Sequence, residues 1–79
     1  MDIQERVFTV LERALKLDAQ KLTPETSRED CEPWDSLGHI VLMEELEKEF
    51  SIQISGVDAL SIQSISDVVS LVKQLTEDS

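Results

Sequence analysis

Apolar residues recur at helical spacing in three stretches of the chain. Between about residues 2 and 16, Ile3, Val7, Val10, Leu11 and Ala14 share one face of a helix, and Phe8 and Leu15 widen the stripe. Asp2 and Glu5 stand in its first turn, Arg13 and Lys16 in its last, the order that complements a helix dipole. The second stretch, Ser36 to Phe50, sets Leu42, Met43, Leu46 and Phe50 against Glu44, Glu45, Glu47, Lys48 and Glu49. Leu37, Ile40 and Val41 are apolar near its start beyond what a core face needs. The third begins at "SISD", where Ser64 and Asp67 have capping-box spacing. Ile65, Val68, Val69, Val72 and Leu75 form its stripe, and the tail "TEDS" is expected to fray.

The intervening segments read as connections. Residues 17 to 35 hold two prolines and mixed charges, a long loop with room for one helical turn. Pro33 disfavours helix at Glu32, so a new element should start after it. Leu17, Leu22 and Trp34 are the residues that would pin this loop to a core. In "SIQISGVDALSIQ", Ile52 and Ile54 alternate with polar residues, but no strand partner exists, so an extended connector is expected. Gly56 marks a turn, and Val57 to Ser61 can make a short helix. Three main helices and a minor one predict a small all-α four-helix bundle, one domain over residues 1–79.

Length and charge narrow the function. A chain of 79 residues buries a small core and is only modestly stable, with no disulfide or evident metal site to compensate. Seventeen acids against seven bases give a formal charge of −10. Such a field repels nucleic acid and anionic membranes and favours basic protein surfaces. The bland alternative is that acidity simply maintains solubility. Cys31 is the single cysteine, which excludes an internal disulfide and fits a reducing compartment. Its neighbours Asp30 and Glu32 would raise its pKa. The N-terminus is charged, unlike a signal peptide, and no apolar run approaches the roughly 18–20 residues that span a bilayer. The expectation is a cytoplasmic monomer. Acids lack calcium-loop spacing, and two glycines make no phosphate loop.

The candidate chemistry lies at "PWDSLGHIVLMEELEKEF". Asp35 and Ser36 both stand where the second helix opens. Either can cap it, because each offers an oxygen to an orphan backbone N–H. Only one is needed, so the other is left free at the positive end of a helix dipole, a place that favours a phosphate. His39 completes the residue types of a hydrolytic triad, but flanking glycines for a strained serine turn are absent and a bundle this small has little room for a substrate pocket. His39 is expected as an exposed histidine near a bound phosphate. Trp34 reads as a loop anchor, with shielding of the serine as the alternative.

The stretch "DSLGHIVLMEELEKEFSIQI" resembles the acyl carrier proteins. "LEKEFSIQI" and "SISDVVSLV" extend the likeness over nearly the whole chain. The resemblance implies an acidic four-helix bundle that carries acyl groups as thioesters and is not itself an enzyme. It implies that Ser36, flanked by Asp35 and Leu37, receives 4′-phosphopantetheine from coenzyme A through a phosphopantetheinyl transferase. Asp35 would hold the helix start and contribute to metal or partner contact. Leu37 and Val41 would dock acyl-loading and acyl-transferring enzymes; the acids Glu44, Glu45, Glu47 and Glu49 include those placed to meet basic rims, and Lys48 stands among them on the partner-binding face. The aliphatic core allows a cargo chain partial shelter between the helices.

Departures from the housekeeping fatty-acid carriers are the Pro33-Trp34 lead-in, Gly38 after the signature, and Val41 and Lys48 at positions usually acidic. They imply different partners, in lipid, polyketide or another specialised pathway. An aminoacyl or peptidyl carrier shares the chemistry, although its usual glycines and histidine before the serine are absent. The alternative from another class is an acidic helical adaptor, which would tolerate Ser36→Asp where a carrier would not.

Overall fold

The computed structural model describes residues 2–77. Among these residues four helices form, in the order α1 (Ile3–Leu15), α2 (Ser36–Phe50), α3 (Gly56–Leu60) and α4 (Ile65–Glu77), an all-α bundle with no strand among the described residues. Two 3-10 turns, Ala19–Lys21 and Arg28–Asp30, break up the long loop between α1 and α2. Thr76 and Glu77 belong to α4 rather than to a frayed tail, and the rest of "TEDS" lies outside the described residues.

The apolar stripes meet as their spacing predicts. Val7, Val10, Leu11 and Leu15 of α1 close against Leu42, Met43 and Leu46 of α2 and Ile65, Val68, Val69, Leu71 and Val72 of α4. Trp34 and Ile62 complete this core, and Leu17 and Leu22 pack on it from the loop. Along the α1–α2 seam, Arg6 pairs with Glu49 at 3.2 Å and Arg13 with Glu45 at 3.2 Å. Arg6 also lies over the Phe50 ring, 4.5 Å from its centroid. These pairs are partly exposed and add little stability, but they orient the seam.

The caps explain where the helices stop. Asp2 accepts the Glu5 N–H at the head of α1. Lys16 and Ser51 take left-handed conformations after α1 and α2, and their N–H groups return to Glu12 and Glu47 carbonyls. Before α4, the capping partnership is displaced by one residue. Asp67 takes the Gln63 N–H at 2.9 Å, while Ser64 reaches the Asp67 N–H only at 3.4 Å. The long loop is stitched to this same segment. Ser27 and Ser64 form a single antiparallel bridge, Arg28 N–H donates to Gln63 (2.7 Å) and Ile65 N–H to Thr26 (3.0 Å). That stitching, with Trp34 anchored in the core, delivers the chain to the start of α2.

Candidate functional site

Two adjacent residues divide the work at the head of α2. Asp35 is the N-cap, in extended conformation, and its carboxylate accepts the Gly38 N–H at 2.8 Å. Its carbonyl accepts the His39 N–H at 2.8 Å and starts the helix. Ser36 is the first helical residue, exposed, and its hydroxyl bonds to no described residue. The first turn of α2 contains no acid, so the positive end of the helix meets no carboxylate there but the Asp35 cap. A hydroxyl released from capping and set at that end places a phosphodiester where the helix dipole favours negative charge.

Gly38 makes this turn possible. A Cβ at Gly38 would strike the Pro33 carbonyl oxygen and stand 3.0 Å from Leu15 Cδ2. The residue after "DSL" therefore accommodates the close return of the Pro33-Trp34 lead-in over the helix, a role the sequence did not disclose.

His39 corrects an expectation. It is buried, not exposed, and both of its ring nitrogens are engaged away from Ser36, with Trp34 and Ala59. The Trp34 indole N–H, which can only donate, gives its proton to His39 Nδ1 at 2.9 Å. The ring proton therefore sits on Nε2, which donates to the Ala59 carbonyl of α3 at 2.8 Å. His39 is held neutral. Burial lowers its pKa and Arg28 lowers it further, against the raising effect of the Ala59 carbonyl. Neither the hydrolase geometry nor a phosphate contact survives this placement. Trp34 is the expected loop anchor, 2% exposed, with its polar edge satisfied by a residue five positions on.

The docking candidates separate into free and engaged groups. Leu37 is 71% exposed and Ile40 56%, with Val41 exposed beside them on α2. Val57 and Leu60 of α3 are also exposed, apolar residues that sequence reasoning had not assigned. Glu44 and Lys48 are exposed. Glu45 is bonded to Arg13, and the Glu47 carboxylate accepts the Ile54 N–H at 2.8 Å. Cys31 is half-buried, and its thiol pKa is raised chiefly by that burial and then by Asp30, so it is a poor nucleophile. Among the described residues no cluster of His, Cys, Asp or Glu suits a metal ion, and no helix is long and apolar enough to cross a membrane.

Comparison with known proteins gives the family. The family model for the phosphopantetheine attachment site matches residues 5–72. The solution NMR structure of a holo acyl carrier protein from Geobacter metallireducens superposes with a TM-score of 0.86 at 26% identity, covering 99% of this chain and 90% of that one. The protein is thus a carrier and not a catalyst, it takes a covalently attached phosphopantetheine, and it meets a phosphopantetheinyl transferase and acyl-handling enzymes. An exposed hydroxyl relieved of capping fits that group, and the match spans every helix from α1 into α4. The chain belongs to the acyl carrier protein family of phosphopantetheine-binding carriers.

Proposed function

We propose that Ser36 is the attachment point and that this chain passes acyl groups, as thioesters, between enzymes of a specialised lipid, polyketide or related pathway. The observation that carries the reading is the division of labour at α2, with Asp35 capping and Ser36 left free. In the loading step Ser36 Oγ forms a bond to phosphorus as the pyrophosphate P–O bond of coenzyme A breaks. The serine proton passes to the transferase and the nucleotide half departs as a bisphosphate. The arm supplies a thiol on a long tether, which raises the effective concentration of cargo at each partner. Asp35 and Gly38 hold the turn in place.

Partner enzymes dock on Leu37, Ile40 and Val41, the exposed apolar residues nearest Ser36. Glu44 and Lys48 flank them without competing internal bonds. Glu45 reaches a basic rim by exchanging Arg13, and Glu47 only by releasing the Ile54 amide. The face is consequently more apolar and less negative than the overall charge suggests, which favours dedicated partners. The chain acts as one domain over residues 1–79, as a cytoplasmic monomer.

The test is an intact mass after incubation with coenzyme A, magnesium and a broad-specificity transferase. A gain of one phosphopantetheine, absent in Ser36→Ala, is expected. A folded protein that several transferases leave unchanged would refute the assignment.

A further inference from the structure

A cargo chain can be sheltered only if an apolar route leads from the Ser36 side of the bundle to the core. In this protein two polar links tie α2 to α3 and its lead-in across their seam, one from His39 and one from Glu47. Trp34 (2% exposed) and His39 (6%) lie side by side, ring centroids 6.2 Å apart and planes 27° from parallel. The Trp34 N–H is spent on His39 Nδ1, and His39 Nε2–H on the Ala59 carbonyl. The short helix α3 has no buried residue, yet it is tied to α2 at both ends. Glu47 takes the Ile54 amide just before α3, and His39 takes the Ala59 carbonyl near its end.

An aliphatic chain entering this seam must part His39 from Ala59 and lie against groups it cannot hydrogen-bond. A buried donor or acceptor stripped of its partner loses more than the bond itself was worth, because its desolvation is no longer compensated. Between α3 and α4 lies a cleft of about 210 Å³. Its lining of Asp58, Ser61, Asp67, Ser70, Leu71 and Gln74 suits water rather than hydrocarbon.

We infer that this carrier keeps its cargo outside the bundle: the Trp34–His39–Ala59 link seals the α2–α3 seam, and the acyl groups it carries are short or polar ones that need no shelter. The inference rests on attachment at Ser36.

To test it, acetyl and octanoyl arms are installed on the full chain from the corresponding acyl-coenzyme A, and loading is read by intact mass against Ser36→Ala. Cleavage of each thioester by hydroxylamine is then timed, and each form is melted. Rates within about twofold of each other, and equal melting temperatures, are expected, since an exposed thioester has no opening step to wait for. An octanoyl form cleaved more than about tenfold slower, or melting several degrees higher, would overturn the inference. His39→Leu and His39→Ala, checked for folding, remove the polar seal, and octanoyl should then gain protection that acetyl does not. If both folded variants leave octanoyl as exposed as before, the link is not the seal and the inference also fails. Absence of any mass gain on the unmodified chain refutes attachment at Ser36 itself, before chain length is compared.

Discussion

Replacing a helical glycine by alanine ordinarily stabilises a protein by about 1 kcal/mol, through helix propensity. At Gly38 the structure reverses the sign. The added Cβ meets the Pro33 carbonyl oxygen inside any acceptable contact, Leu15 Cδ2 at 3.0 Å and Asp35 Oδ1 at 3.3 Å. Leu15 can rotate away, but the carbonyl cannot, because proline restricts its own backbone and Trp34, the next residue, is locked in the core. Overpacking costs about 1–3 kcal/mol, and a clash with a backbone carbonyl falls in the upper part of that range, about 2–3 kcal/mol, so after the propensity gain a net loss of roughly 1–2 kcal/mol is expected. For a chain this small that lowers Tm by roughly 4–16 °C. Gly56 is the matched control. It opens α3 with a negative φ, and a Cβ there meets nothing within 4 Å. Gly56→Ala should stabilise by about 0.4–1 kcal/mol through the unfolded state. Urea and thermal unfolding followed by far-UV circular dichroism measure both. Transferase labelling of Gly38→Ala should slow as well, since relief of the clash displaces the turn that holds Ser36. A Gly38→Ala variant as stable as the parent, or more so, would refute the close return of the lead-in over α2.

Three further outcomes follow from the same geometry. His39 has a lowered pKa in the fold, so the unfolded chain binds its proton first; the associated stability is intact above the unfolded value of about 6.5 and is lost as pH falls from there through the folded value. Urea midpoints across that window should fall more steeply for the parent than for His39→Leu, and equal slopes would contradict the buried neutral ring. Glu47→Ala should cost about 1–2 kcal/mol by orphaning the Ile54 amide, while Glu47→Gln, which keeps an acceptor oxygen, recovers most of it in the same unfolding assay. Ser36→Asp should unfold as the parent does, within about 0.5 kcal/mol, because Asp35 is the cap, yet show no mass gain with a transferase.

Much of the site was legible before any coordinates. Paired capping residues at the mouth of an amphipathic acidic helix marked one of Asp35 and Ser36 as spare, and the surplus of Leu37, Ile40 and Val41 over a core face marked the exposed apolar patch. The same reading misplaced His39. A polar residue three positions from an exposed serine looks solvent-facing when helical spacing alone is considered. Its burial depends on a donor from Trp34 in the loop and an acceptor from Ala59 in α3, twenty residues downstream. Glu47 was read as a surface acid for the same reason, since its partner is an amide beyond the end of its own helix.

What the sequence by itself determined was local: three apolar periodicities, the proline that starts α2 late, and paired capping residues at its head. These depend on neighbours within a turn or two, so spacing along the chain specifies them. Only the tertiary structure decided which of Asp35 and Ser36 is spent as the cap, why Gly38 must lack a side chain, and that Trp34 and His39 close the seam beside α3. The cap and the Gly38–Pro33 approach are close in sequence but depend on the path the backbone takes, and the His39–Ala59 bond spans twenty residues; neither kind of contact leaves a period to read.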